Sequence, residues 1–214
     1  RGGDQAVVKN SKGISYYGGK REQMSKNTRV KARVKAEALR EFILTKDRVI
    51  IMGHKMADVD SFGAAIGIYR AAASMEKKVH IVLNDISVTL RPLYEAFRNS
   101  PGYPEDLFVN SHEAEELADE NTMVVVVDTN KPKMTECERL LRKNRTIAVL
   151  DHHRQSDEVI ENAVLSYIEP YASSACEMVA EVLQYISDDL KLNTMEASSM
   201  YAGIMIDTNN FLTR

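Results

Sequence analysis

Apolar and polar positions along this chain fall into blocks that favour strand, then helix, then strand again. Residues 48–53 (RVIIMG) form a short apolar run of the length a buried strand needs. Over 61–75 the spacing changes: Phe62, Ile66, Tyr69 and Ala73 recur on one face, which predicts a helix. A strand follows at 78–83, a helix at 89–98, a short strand at 107–109 and a short acidic helix at 111–118. The run at 122–127 is almost all valine, which suits a central strand covered on both faces. Helix at 135–143, strand at 146–150 and strand at 163–168 continue the alternation, and helices at 174–186 and about 194–206 close it. The pattern predicts an α/β fold with a doubly wound, mostly parallel sheet.

The first 45 residues read differently. Gln5 begins a short strand-like run to Lys9, between the glycine pairs 2–3 and 18–19, too small to form a core. Residues 20–40 then carry eight Lys or Arg against Glu22 and Glu37. Val30, Val34, Ala38 and Phe42 repeat every four residues, which predicts a helix with one apolar edge. A solvated connecting helix fits better than a nucleic-acid arm, because no aromatic residues are interleaved with the basic ones. The chain opens on Arg1 and ends directly after a strongly patterned segment, so it reads as a piece excised from a longer protein.

Composition narrows the options. The chain has 214 residues, 44% hydrophobic and 28% charged, as a soluble globular domain does. A net charge of −3 argues against a domain that lives on long nucleic acid. No apolar run approaches the ~18 residues of a membrane helix, so no membrane contact is expected of this chain. Cys137 and Cys176 form neither a disulfide framework nor a thiolate metal site, and suit a reducing compartment.

In an open parallel sheet, ligands bind beyond the carboxyl ends of the strands. Four patches place ionisable residues at or near the ends of apolar runs: the segment from His54 through Asp58 to Asp60, Asp128, the triplet Asp151-His152-His153, and Asp207. Each has a plain alternative. Asp60 precedes a helix and could cap it. Asp128 and Asp207, each followed by Thr-Asn, could form turns. The two histidines could be a surface cluster. Together, however, they gather three of the five histidines beside several aspartates. Carboxylate and imidazole donors without thiolates favour a fairly hard divalent ion, with Mn²⁺ first and Mg²⁺, Co²⁺ and Zn²⁺ as alternatives. Four carboxylates and two histidines exceed one ion and suit two that share a bridging carboxylate. Paired ions of that kind activate water and clamp phosphoryl oxygens, which points to phosphoester hydrolysis.

The runs GHKMADVD, VVVVDTN, DHH and IMIDTNNF resemble the four motifs of the DHH phosphoesterases over about 46–214. The chain is still more similar to the membrane-anchored cyclic-di-AMP phosphodiesterases of the GdpP (YybT) type. There the opening RGGDQAVVK resembles the tail of a degenerate GGDEF-like domain. The resemblance divides the chain into that remnant (1–20), a basic connecting helix (21–45) and the catalytic domain (46–214). It implies that His54, Asp58 and Asp128 hold one metal ion and that Asp60, Asp128, His152 and Asp207 hold the second. Asp151 would orient an imidazole, and His153 would face the phosphate. The implied reaction converts cyclic-di-AMP to linear 5′-pApA, at the cytoplasmic face of the membrane in the parent protein. Two departures stand out. Ala57 replaces the proline common in the first motif, and the DHH-associated domain expected after the fourth motif as a partner is absent. Metal binding is therefore expected to survive, and cyclic-dinucleotide turnover to be weak. Hydrolysis of short oligonucleotides or linear dinucleotides, and a non-catalytic regulatory or dimerisation module, are the competing readings, with a homodimer left open.

Other candidates have simpler explanations. His80 is expected to pack within its strand and His112 to face solvent. Ser174 and Glu177 have capping-box spacing, with an anion contact at that helix start as an alternative. Gly63 and Gly67 are expected to let their helix lie close on the sheet.

Overall fold

The computed structural model describes the backbone of residues 6–10, 13–17, 20–155 and 157–212, with side chains from residue 29 onward. The glycine pairs, Gln5, and the side chains of Lys20, Arg21 and Lys26 lie outside what is described. Strands β1 (Ala6–Asn10) and β2 (Gly13–Tyr17) form an antiparallel pair. Helix α1 (Lys20–Leu44) leads into β3 (Arg48–Met52), α2 (Val59–Ser74), β4 (Lys78–Val82), α3 (Arg91–Arg98), β5 (Phe108–Val109) and α4 (Ser111–Leu117). Then come β6 (Thr122–Val127), a 3-10 turn (Pro132–Met134), α5 (Glu138–Lys143), β7 (Ile147–Asp151), β8 (Leu165–Ile168), α6 (Ala175–Ile186) and α7 (Thr194–Asp207).

Six strands form one all-parallel sheet in the order β5-β4-β3-β6-β7-β8. The direction of winding reverses between β3 and β6, so a crevice opens beyond the carboxyl ends of these two strands. Their side chains alternate between two buried layers. Val49, Ile51, Met123, Val125 and Val127 join α1, α2, α3, α6 and α7 on one face. Ile50, Met52, Val124 and Val126 join Ala114 of α4 and Leu140 and Leu141 of α5 on the other. Burial on both faces is why the valine strand is apolar at successive positions rather than at every second one.

Three expectations need correcting. The apolar seam of α1 is not the Val30–Val34 edge, since those two side chains are 64% and 56% exposed. The buried face is Ala32, Ala36, Leu39 and Ile43, which join the core together with α6. Two alanines let the first half of this face lie close, Leu39 and Ile43 fill the core further along, and Val30 and Val34 are left in water. Gly63 and Gly67 do not face the sheet. A Cβ at Gly63 would lie 2.7 Å from Cys176 Sγ and 2.8 Å from Ser199 O, and one at Gly67 would lie 2.6 Å from Val179 Cγ1. The two glycines bring α2 against α6 and α7. Finally, Asp60 is not the cap of α2. That helix starts earlier, at Val59, and Asp58 caps it by accepting from Ser61 N at 2.9 Å.

Candidate metal centre

The crevice gathers every residue singled out in the four patches. His54 leaves β3 in a loop that bridges to Thr135. Its Nδ1 lies 2.9 Å from Lys55 O, so this nitrogen donates to the carbonyl and Nε2 is the nitrogen left for a metal once it loses its proton. That Nε2 lies 3.5 Å from Asp58 Oδ2 and 3.4 Å from Asp128 Oδ2. The other oxygen of Asp128 faces the opposite way, with Oδ1 3.3 Å from His152 Nε2. His152 Nε2 is also 3.5 Å from Asp207 Oδ2 and 3.9 Å from Asp60 Oδ2. Three overlapping groups of possible ligands lie here: His54, Asp58 and Asp128; Asp128, His152 and His153; and Asp60, His152 and Asp207, so that Asp128 and His152 link the two sides.

Local backbone makes this possible. Asp128 ends β6 with φ of 59°, a left-handed conformation that few residue types other than glycine, asparagine and aspartate tolerate. Asp60 sits in the first turn of α2, fully buried, and both its oxygens are held by the start of α6. Ala175 N donates to Oδ2 at 2.6 Å and Cys176 N to Oδ1 at 2.9 Å. These are amides that a helix leaves without internal partners, and they stabilise a carboxylate. The anion at this helix start is thus the protein's own Asp60. Ser174 caps α6 as its spacing implied, accepting from Glu177 N at 3.0 Å, but Glu177 turns to Ser173 N at 2.7 Å, so the reciprocal box is not made. Asp207 arrives from the last turn of α7.

Asp151 and His153 form a second layer. Asp151 is fully buried, and its Oδ1 accepts from His153 N at 3.2 Å and lies 2.8 Å from His153 Nδ1. Its Oδ2 accepts from Asn130 Nδ2. With both oxygens engaged, Asp151 orients His153, whose side chain is 58% exposed at the mouth of the crevice. Asn130, inside the VVVVDTN run, was not singled out from the sequence, nor were the amides of Ala175 and Cys176. Backbone donors leave no mark in residue type, and Asn130 looks like an ordinary turn former. His80 and His112 stay outside. His80 is buried with Nδ1 2.8 Å from Asp106 O, and exposed His112 pairs with Glu116 at 3.7 Å.

The electrostatics are those of crowded acids and imidazoles. Asp128, with Asp58 behind it, pushes the His54 imidazole up to about 11. Burial opposes charge on His152, but Asp128, Asp60 and Asp207 outweigh it and lift its pKa to about 9. Burial raises Asp60 to about 6, reinforced by the charge of Asp128 and opposed by the Cys176 amide. Asp207 is raised by burial and by Asp128. Asp151 raises His153. Despite this crowding, Asp128 Oδ1 and His152 Nε2 are buried without a hydrogen-bond partner. A cleft of about 430 Å³ opens over the centre, walled by Asn130, Lys131, Met134, His153 and Arg154.

The family described as DHH family, N-terminal domain, matches residues 48–204. Over its whole length the chain is 43% identical to the cyclic-di-AMP phosphodiesterase GdpP of Bacillus subtilis and 38% identical to the cyclic-di-AMP phosphodiesterase PdeA of Listeria monocytogenes. It spans about a third (33%) of each of those proteins. Among solved structures, an exopolyphosphatase-related protein from Bacteroides fragilis shares the fold, with a TM-score of 0.65, 20% identity, and coverage of 84% of this chain and 52% of that one. The α/β fold, the four motifs and this match over most of the chain agree: the chain belongs to the DHH family.

Proposed function

We propose that this chain is the catalytic domain of a two-metal phosphodiesterase that hydrolyses cyclic-di-AMP to 5′-pApA. The observation that carries the reading is the placement of Asp128, whose two carboxylate oxygens face different imidazoles, His54 and His152. Asp128 Oδ1 and His152 Nε2 are buried and 3.3 Å apart with no well-formed hydrogen bond to either, an arrangement that calls for positive charge, supplied by a proton on His152 or by a cation held between the two groups. The donor set fits two divalent ions, with Mn²⁺ preferred for its oxygen and imidazole ligands. His54, Asp58 and Asp128 would hold one, and Asp60, Asp128, His152 and Asp207 the other. Such a pair supplies an activated water and withdraws charge from the phosphoryl oxygens.

The remaining work falls to the chain's own side chains. Asp60 is locked by two backbone amides and cannot swing away as charge shifts in the crevice. Asp151 fixes His153 through Nδ1, leaving Nε2 at the cleft mouth to stabilise the phosphoryl group or give a proton to the departing 3′ oxygen. Lys131 and Arg154 place positive charge on the wall of the same cleft, where an anionic substrate would lie.

The names and identities of the GdpP and PdeA relatives support cyclic-di-AMP as the substrate. Those names say nothing of a membrane; a parent working at the cytoplasmic face of one rests on the motif resemblance to membrane-anchored phosphodiesterases alone. Within this chain, no helix among the described residues is long and apolar enough to cross one. The test compares turnover of cyclic-di-AMP, pApA and pyrophosphate by the Mn²⁺-loaded longer parent protein, because turnover by this chain alone is expected to be weak. Preference for the cyclic dinucleotide is expected, and preference for pApA or pyrophosphate would assign another DHH activity. Binding of Mn²⁺ with no turnover of any phosphoester would favour the non-catalytic module.

A further inference from the structure

The basic helix α1 is not absorbed by the proposed chemistry, yet it reaches the centre through two short routes. Along one, Lys31 Nζ lies 3.3 Å from Glu169 Oε2, and that carboxylate is only 8% exposed. Glu169 follows β8 directly. Its amide donates to Asp151 O at 3.0 Å, and its carbonyl accepts from Ala172 N at 2.9 Å, so it fixes the first turn of the β8–α6 connection. Along the other route, Ala32, Ala36, Leu39 and Ile43 are buried in the same core as Ala175, Val179, Val182 and Ile186 of α6. Arg29 adds positive charge next to Glu181 of α6, lowering the cost of that carboxylate. Both routes converge on the segment 169–176, and that segment ends in the two amides that grip Asp60 at 2.6 and 2.9 Å.

We propose that α1 is a positioning element for the centre: the Lys31–Glu169 pair and the Ala32–Ile43 seam hold the β8–α6 connection so that the Ala175 and Cys176 amides keep Asp60 in place. The coupling is selective by construction. Asp60 belongs to the half with His152 and Asp207, whereas His54 and Asp58 hang from the β3–α2 loop, which the Lys31–Glu169 route does not reach, although Ala57 of that loop shares the core with the α1 seam. Loss of the Lys31–Glu169 pair therefore loosens one half of the centre and leaves the other. Charge accounts for two of the helix's basic residues, while Arg33 and Arg40 pair with Glu37 and Glu41 of the helix itself. Arg29 and Lys31 face glutamates of the domain itself, which makes the helix a matched lid on α6 and β8 rather than a free arm.

The assignment of Asp60 to a second ion rests on the proposed function, but the mechanical coupling does not, and the experiment separates them. Lys31→Glu and Glu169→Gln are compared with Val34→Ala, an exposed change on the same helix, and with Lys31→Arg as the conservative rescue. In the metal-free chain, amide hydrogen exchange at Ala175 and Cys176 is expected to quicken about threefold to tenfold in the first two variants, the range for loss of a partly buried ion pair. Exchange in the β3–α2 loop should stay unchanged, as should all exchange in the two controls. In Mn²⁺ titrations, one class of sites should lose affinity by the same factor while the other holds. Unchanged exchange at Ala175 and Cys176, or equal acceleration across the whole domain with a fall in thermal midpoint, overturns the proposal. Faster exchange at those two amides in a chain that takes fewer than two ions supports the coupling and refutes the two-ion reading.

Discussion

Arg70 on α2 grips Glu196 on α7, its Nε 2.9 and 3.0 Å from the two carboxylate oxygens, although 126 residues separate them in the chain. Glu196 is fully buried and also takes Tyr103 Oη at 3.1 Å and Asn193 N at 2.9 Å. A buried carboxylate that takes Arg70 Nε and Nη2, Tyr103 Oη and Asn193 N tolerates no loss of its cation. Arg70→Met is expected to destabilise the fold by about 3 kcal/mol, because it leaves Glu196 uncompensated. Arg70→Met combined with Glu196→Leu should cost less than Arg70→Met alone. Urea denaturation of both variants checks the order, and a double variant weaker than the single would refute it.

Asp128 contributes one oxygen to each half of the centre, so its removal should be felt by both. Asp128→Asn keeps the shape and removes the charge that both imidazoles face. Bound Mn²⁺, measured by metal analysis after dialysis, is expected to fall from two per chain to one or none. An unchanged stoichiometry would show that Asp128 bridges nothing.

Protons compete with metal in this centre. In the metal-free chain, His54 and His152 have pKa values raised from 6.5 to about 11 and about 9. At pH 7 both imidazoles are charged, and both must lose a proton to bind metal. Saturation with Mn²⁺ should release about two protons per chain at pH 7 and about one at pH 10, where His152 is already neutral. Titration in a weak buffer with a pH indicator measures this directly, and equal release at the two pH values would contradict it.

The same shifts set the stability of the metal-free fold. Raised histidine pKa values contribute stability that is complete below about pH 6.5 and lost as pH climbs through 9 and 11. Asp60, raised from 3.8 to about 6, contributes below its unfolded value and loses that contribution as pH passes 6. Thermal midpoints of the metal-free chain should therefore fall from pH 7 to pH 10. Mn²⁺ should flatten that fall, since the ions replace the protons as the counter-charge.

Gly203 of α7 lies against both Cys176 and Asp60, and an added Cβ would come within 2.6 Å of Cys176 Sγ and 2.9 Å of Asp60 Cα. Gly203→Ala should cost about 1–3 kcal/mol through overpacking and should weaken Mn²⁺ binding by displacing Asp60. Gly102→Ala serves as the control, because its nearest neighbour would be 3.8 Å away. Loss of stability with full metal affinity would separate the glycine from the centre.

Much of this was legible in the residues. Strand ends carry the donors because a parallel sheet aims all its carboxyl ends one way, so Asp128 and Asp151 announce themselves after runs of valine and IAVL. The histidines could be sorted as well: His80 sits inside a strand, and His152 follows one. What stayed hidden was set by atoms that residue type does not encode. The grip on Asp60 comes from backbone amides 115 and 116 positions away. The pairing of Arg70 with Glu196 needs the α2–α7 crossing before either residue looks special. The face of α1 is ambiguous in the sequence because the run Val30, Val34, Ala38, Phe42 and the run Ala32, Ala36, Leu39, Ile43 both repeat at helical spacing, and only the packing against α6 decides between them.

Helix α2 is buried continuously from Val59 to Tyr69, and again at Ala71 and Ala72, with the sheet on one side and α6 and α7 on the other. A helix enclosed in this way offers almost no surface on which mutations can accumulate unnoticed. Across diverging descendants of this sequence, change should be slowest along that stretch, and a saturating mutational scan should find it the least forgiving segment of the domain.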